Sequence, residues 1–350
     1  MEKRFSSILH SICIDYLPRT MFWSPDGNSL ISGSYSNTLQ IFNKFNIGAN
    51  PEKEVFASFD ENQIFTYPST VTNCSWYPLM NIEDDSSCCF ACVMPFSPIR
   101  LIDSKTGRQR SIYRCQLNGD HPAPLTSVAF NGADLLAGSS KTLFQCHILQ
   151  PNLLGRPVLT CPGSIMSVKP HPTSGCIALG ISKGDIAFVD SRDMQVITSE
   201  KFHNQALDQI LWFTPESNLL FTSARLEKEV IGIDIRMPNV PSLVLETKRI
   251  SSRPISLSAD LNLGLLFVGN EGGPAQVFDI NQEGKLIEQI GNGPTPIAIY
   301  NEHKNVLIAA SGRYEIIIND NDDDTETSDT TNLVEFGPKL ESIQVYIPNP

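Results

Sequence analysis

Long apolar runs are missing from this sequence. Nowhere in its 350 residues do about 18 apolar side chains follow one another, so no segment reads as a membrane-spanning helix. Behind Met1 to Phe5 there is no apolar block, because Ser6, Ser7, His10 and Ser11 interrupt; that argues against a secretory leader and for an intracellular protein. A disulfide framework is also missing. The nine cysteines (Cys13, Cys74, Cys88, Cys89, Cys92, Cys115, Cys146, Cys161 and Cys176) are odd in number and irregular in spacing. Cys89 and Cys92 form a CxxC, but no second pair completes a zinc set. In a strand, residues three apart point to opposite faces, so both read as core thiols.

Catalytic signatures are absent as well. No serine occupies a strand–turn–helix elbow, and the six histidines (His10, His121, His147, His171, His203 and His303) show no i,i+4 pair. The glycine-rich stretches Gly269–Pro274 and Gly180–Asp185 join strand to strand, without the helix N-terminus that a phosphate loop needs. His171, between two prolines, reads as a turn residue. His203, followed by Asp208 just ahead of a strand, reads as a hydrogen-bond anchor for its loop. The expectation is a non-enzymatic protein with no cofactor and no metal.

Positive charge is scarce: 26 Lys and Arg stand against 38 Asp and Glu, a net charge of −12, which argues against non-specific binding to DNA or RNA. Half of that deficit lies in residues 319–332, where six acids occur without a base. The rest of the chain carries the other half, −6.

What is present is one repeated unit. Phe22-Trp23-Ser24-Pro25-Asp26-Gly27, Leu30 to Ser34 and Leu39 to Asn43 read as three short strands joined by tight turns. Ser24-Pro25-Asp26-Gly27 has type I turn chemistry, with proline pre-setting φ at the second position. Copies of the turn after the first strand fall near Ser24, Tyr77, Phe130, His171, Thr214, Ser258 and Asn301, 41 to 44 residues apart except for two gaps of 53. The longer gaps hold insertions: a Phe-studded polar connector, Lys44 to Pro68, and an acidic loop, Asn81 to Ser87, with Glu83, Asp84 and Asp85. A period near 40 to 45 with four strands per repeat is the signature of β-propeller blades.

A second marker is an apolar strand ending in Asp or its equivalent: Ile41-Phe42-Asn43, Leu101-Ile102-Asp103, Phe188-Val189-Asp190, Gly232-Ile233-Asp234 and Val277-Phe278-Asp279. Cys146-His147-Ile148 fills that slot in the third copy and Ile316-Ile317-Ile318 in the seventh. The fold class expected is all-β: a seven-bladed WD40-type β-propeller with a short disordered acidic C-terminal segment. Residues 1–318 form the propeller, closed by an N-terminal strand over residues 8–16. Residues 319–333 are an acidic disordered linker and 334–350 a C-terminal tail, with Leu340 to Ile347 as the alternative latch.

These residues resemble the telomerase Cajal body protein family of WD40-repeat proteins, as a divergent member. The likeness is carried by Phe22 to Gly27 with Asn37 to Asn43, by Cys74-Ser75-Trp76-Tyr77-Pro78-Leu79-Met80, and by Ser97 to Asp103 with Thr106-Gly107. Ser223-Ala224-Arg225 through Arg236, and Ala310-Ser311-Gly312-Arg313, extend it. It covers about residues 15 to 315. The blade tryptophans of WD40 repeats are lost, and no long N-terminal extension precedes the first unit. The resemblance implies recognition of small Cajal body RNAs and telomerase RNA, hence a nuclear location (Cajal body or nucleoplasm, with some protein in the cytoplasm).

In a propeller, loops from second to third strand open on the same end as the loops between blades. The register places Tyr35, Ser36, Asn37, Phe96, Lys141, Lys183, Arg225, Lys228, Arg253, Asn270 and Arg313 there, with Arg100 close enough to reach the rim. A basic rim with aromatics suits looped RNA: guanidinium forks for phosphates, rings for unstacked bases. On the first reading the protein is a scaffold holding small nuclear RNA of the Cajal body or telomerase type in ribonucleoprotein biogenesis. Arg225, Arg313, Arg100 and Arg253 contact the RNA, and Tyr35 and Phe96 stack on it. The alternative is a protein–protein scaffold of pre-mRNA splicing without RNA contact, as the resemblance implies for a fungal relative. Its partners are then ribonucleoprotein or spliceosomal proteins, anchored on Trp76 or on Phe45, Phe56, Phe59 and Phe65.

Overall fold

Strands such as Cys176–Ile181 and Leu219–Ala224 are buried on both faces, a pattern that suits sheets stacked face to face, each covered on either side. The computed structural model describes residues 4–49, 54–117, 120–213, 218–247, 255–318 and 334–349. The chain opens with β1 (Phe5–His10). The first sheet holds β2 (Thr20–Trp23), β3 (Leu30–Gly33), β4 (Thr38–Ala49) and β5 (Val55–Thr66). The second holds β6 (Asn73–Trp76), β7 (Cys89–Val93), β8 (Ile99–Asp103) and β9 (Gln109–Tyr113), and the third β10 (Ser127–Asn131), β11 (Asp134–Gly138), β12 (Thr142–His147) and β13 (Arg156–Thr160). Then come β14 (Ile165–Pro170), β15 (Cys176–Ile181), β16 (Asp185–Asp190) and β17 (Val196–Lys201), followed by β18 (Leu207–Trp212), β19 (Leu219–Ala224), β20 (Glu229–Asp234) and β21 (Leu243–Glu246). The sixth sheet holds β22 (Leu257–Asp260), β23 (Leu265–Val268), β24 (Ala275–Asp279) and β25 (Lys285–Ile290). The seventh is β26 (Ile297–Asn301), β27 (Val306–Ile318), β28 (Val334–Pro348) and, returning from the start of the chain, β1. This is the seven-bladed WD40-type propeller expected.

Among the described residues, seven apolar clusters fill the seven gaps, one between each pair of neighbouring sheets. The cluster that closes the ring joins Met21, Leu30 and Phe42 of the first sheet to Ile297, Ile299 and Ile308 of the seventh. Inner strands are also tied sideways. Trp76 Nε1 donates to the Phe22 carbonyl (3.1 Å), Trp212 Nε1 to the Lys169 carbonyl (2.9 Å) and Asn301 Nδ2 to the Gly27 carbonyl (2.8 Å). Closure matters because each sheet buries its faces only against its neighbours.

Local chemistry explains the turns. Gly27 N–H closes the first turn on the Ser24 carbonyl at 2.9 Å with φ +69°, where a Cβ would lie 2.6 Å from Asn301 Oδ1. The aspartates ending third strands cap the turns that follow. Asp103 accepts from the amides of Lys105 and Thr106, Asp190 from that of Arg192, and Asp234 from that of Arg236. Cys89 and Cys92 enter different inter-sheet layers, and burial pushes their thiols up to about 11 and about 12.

Four expectations change. The latch is double: β28 lies between β27 and β1, with Ile8 opposite Val345, so Leu340 to Ile347 is a sheet strand and not a tail. The N-terminal strand spans Phe5–His10, not residues 8–16, and Leu9 and His10 also pair in parallel with Phe56 and Ala57 of β5. Ile316-Ile317-Ile318 belongs to the overlong second strand, since the third strand of that sheet is β28. Of the connector Lys44 to Pro68, residues 44–49 and 55–66 are paired strands of the β4–β5 hairpin, where Phe45 is buried and Phe59 sits 4.9 Å from it and 5.9 Å from Trp23. Phe45 and Trp76 are enclosed, which removes them as partner anchors, and Phe56, Phe59 and Phe65 are half-buried. The acidic stretch 319–333 lies outside the described residues.

Candidate nucleic-acid interface

The loops between second and third strands and those between sheets do meet at one end of the ring, because they bond to one another. Asn37 Nδ2 donates to the Tyr67 carbonyl (2.8 Å), Cys161 N–H to the Lys141 carbonyl (2.7 Å), Ser182 N–H to the Ser164 carbonyl (2.8 Å) and Thr247 N–H to the Lys228 carbonyl (2.7 Å). These bonds fix the backbone and leave the lysine side chains outside. Lys141, Lys183 and Lys228 are exposed and have no ion-pair partner among the described residues.

The arginines behave differently. Arg225, just past β19, donates from Nε to Asp208 Oδ1 at 2.6 Å, and that carboxylate is almost fully enclosed. Arg313, on the part of β27 that overshoots the sheet, pairs with Glu341 of β28 at 2.9 Å. Arg100 is a half-buried residue of β8, not a rim residue. Its guanidinium donates to Gln109 Oε1 (2.7 Å) and its Nε is enclosed without a partner. Arg253 lies outside the described residues. Among the described residues, the cations this end presents without an ion-pair partner are therefore lysines.

Phe96 is two-thirds exposed in the β7–β8 loop, between Pro95 and Pro98, with φ +56°. Tyr35 is half-buried, and its carbonyl accepts from Thr70 Oγ1 (3.4 Å). Ser36 is exposed and shares a hydrogen bond with Ser34 (2.7 Å). Asn270 is buried and structural: its Oδ1 accepts from Gly272 N–H (2.9 Å), and its backbone exchanges two 2.7 Å bonds with Thr295. His203 does anchor its loop, but its partners are Glu227 (Nδ1 to Oε2, 2.6 Å) and Thr222 (Nε2 to Oγ1, 3.0 Å), while Asp208 serves Arg225. Glu227 also takes the amides of Asn204 and Gln205, so that carboxylate is spent on the loop.

Two residues escape a reading of the sequence. Leu226, 60% exposed with φ +57°, stands on the same end as Phe96. A lone loop leucine carries no signal that separates it from core. Lys201 ends β17 at this rim and is exposed.

The described geometry thus offers Lys141, Lys183 and Lys228 on the second-to-third-strand loops, Lys201 beside them, all without an ion-pair partner among the described residues, and one exposed ring and an exposed leucine on the same end. It can hold an anionic, partly unstacked ligand. Among the described residues no helix is long and apolar enough to cross a membrane.

No family model matches the sequence. Among curated proteins, the chain is similar to telomerase Cajal body protein 1 of Mesocricetus auratus, 24% identical over 277 residues, covering 74% of this chain and 50% of that protein. It is similar to the Homo sapiens protein of that name, 23% identical over 280 residues, covering 75% and 49%. A shorter match, 29% identical over 133 residues and covering 36% and 33%, is to guanine nucleotide-binding protein negative regulator 1 of Schizosaccharomyces pombe. The chain spans about half the length of the telomerase Cajal body proteins it matches.

Proposed function

We propose that this chain, a distant WD40-type member of the telomerase Cajal body protein family, is a non-enzymatic nuclear scaffold that holds a structured small RNA on the loop end of its propeller during ribonucleoprotein biogenesis. The observation that carries this is the lysine set without ion-pair partners among the described residues, Lys141, Lys183 and Lys228, on the same end of the ring as the exposed Phe96. Lysines on a fixed backbone meet phosphates as point charges, and a protruding ring offers a surface for one unstacked base. Arg225 and Arg313 are each neutralised by a carboxylate at Nε, so their remaining N–H groups act as a second tier. With few cations the RNA is chosen by shape and stacking more than by charge. Telomerase RNA is one candidate ligand by family likeness.

Filter binding with a small nuclear RNA tests this. The variant K141E/K183E/K228E is expected to lose at least tenfold in affinity, and Phe96→Ala several-fold. Unchanged affinity in both sinks the RNA reading.

Phe96 and Leu226, apolar and exposed on the same end, also favour a second reading, a protein partner seated there without RNA contact, in splicing or another assembly. Crosslinking in cells followed by RNA sequencing separates the two. Small nuclear RNA crosslinked to the loop end supports the first, and spliceosomal proteins without RNA support the second.

A further inference from the structure

The opposite end of the ring carries a feature that the RNA reading does not use. Between the second and third sheets a groove of about 520 Å³ opens. Its floor is Tyr77 and Phe130, whose rings meet edge to face at 5.5 Å. Leu79 and Leu149 stand over it, 75% and 82% exposed. Exposed large apolar residues scattered singly need no explanation, but two flanking an aromatic floor form a patch. Nor are they loose. Leu149 N–H donates to His147 Nδ1 (3.2 Å), and Tyr113 Oη ties the same loop through the Ile148 carbonyl (2.9 Å).

One wall is the acidic loop of residues 81–87, and it is built rigidly. Ser87 Oγ takes the Asn81 amide (3.0 Å) and donates to the Asp84 carbonyl (2.9 Å). Arg110 collects the carbonyls of Asp85, Ser86 and Cys88 while paired with Asp103 at 2.7 Å. Lys105 neutralises Asp85 at 2.6 Å. Glu83 and Asp84 have no ion-pair partner among the described residues. Hydrogen bonds from Ser86 hold the Asp84 carboxyl below its ordinary range, so it stays ionised.

We propose that this groove is a docking site for a protein segment that places an aliphatic side chain on the Tyr77–Phe130 floor and a flanking Lys or Arg against Glu83 and Asp84. An apolar slot beside unpaired carboxylates selects such a segment by complementarity of both kinds. The same carboxylates repel nucleic acid and anionic lipid. The molecule then has two working ends: one turned to RNA, the other to a basic, aliphatic peptide.

The test pans a phage-displayed library of random 12-residue peptides on the full chain, with counter-selection on Leu79→Asp/Leu149→Asp. Both leucines are exposed, and thermal melting checks that the variant is folded. Enriched peptides are expected to carry an aliphatic residue within two positions of Lys or Arg. A synthetic copy of the leading peptide is expected to lose at least tenfold in affinity for the double-Asp variant. It should lose at least threefold for Glu83→Lys/Asp84→Lys, and nothing for K141E/K183E/K228E, which separates this site from the RNA end. Four results overturn the proposal: no enrichment, an acidic consensus, equal binding to the double-Asp variant, or a concentration-dependent dimer that this variant abolishes, since the groove then seats a second copy.

Discussion

Asp26 shows what one carboxylate does in this ring. It accepts from Ser24 Oγ (2.5 Å) and from the amide and side chain of Asn28 (3.1 and 3.3 Å) within its own turn, and from the Ile82 amide of the next blade at 2.7 Å. Burial acts to raise its pKa, yet these hydrogen bonds outweigh burial and hold it below the usual 3.8. A carboxyl depressed in the folded state contributes stability above its unfolded pKa and loses it as pH falls through the folded value. Asp26→Ala is expected to cost about 1–3 kcal/mol at pH 7, and the gap to the parent protein should narrow below about pH 4. Urea unfolding at pH 7 and pH 3 checks this, and a gap that widens in acid contradicts it. The turn itself is legible in Ser-Pro-Asp-Gly. The bond to Ile82 is not, because a contact across 56 positions depends on how the sheets stack. His203 teaches the same lesson: its need for a partner shows in the sequence, but the choice of Glu227 over Asp208 depends on which loop folds over it.

At the scale of elements, the seventh sheet is assembled from both ends of the described chain. Phe5 of β1 is buried, 5.6 Å from the Phe267 ring of the sixth sheet, so the N-terminal strand also plugs the layer beside its own sheet. Phe5→Ala is expected to cost about 3–5 kcal/mol. Denaturant titration reads this, and a loss under about 1 kcal/mol means the strand packs only by its edge. Gly184 makes a second case. Its φ is +88°, and an added Cβ would lie 1.9 Å from the His203 carbonyl oxygen, whose loop it receives through two amides at 3.1 and 3.3 Å. Gly184→Ala should therefore lower stability by roughly 1–3 kcal/mol and displace His203 from Glu227, visible as shifted His203 ring resonances. Unmoved resonances count against the geometry. The count of seven is legible because the turns recur at nearly constant spacing. The double latch is not, because the overlong β27 and β28 push the last third-strand marker out of place and both terminal strands carry apolar alternation. The β4–β5 hairpin reads as a polar connector for a related reason: beyond the ring, only one of its faces meets the Trp23–Phe45 cluster.

Over the whole molecule, the unpaired charges differ between the ends: lysines stand where sheets hand over to one another, and Glu83 and Asp84 where the first turns close, while Arg192 and Arg236 at that second end are paired with Asp190 and Asp234. That polarity is partly legible, since the repeat register assigns each loop to an end. The state of each cation is not legible, because Arg225, Arg313 and Arg100 find partners distant in sequence or across a strand pair. Three lysines meeting three phosphates imply a slope of log affinity against log salt of about −2, at roughly 0.7 per contact on a single strand. Between 50 and 200 mM salt that is a loss of roughly 20-fold. A slope near zero rules out the lysine end as the phosphate site, and one steeper than about −5 requires cations beyond these three.

The most direct measurement is a salt titration of binding to a structured small nuclear RNA, by the parent protein and by K141E/K183E/K228E. The predicted result is a slope near −2 that flattens in the variant, with affinity at least tenfold weaker. Equal slopes and equal affinities in the two proteins contradict an RNA-holding end.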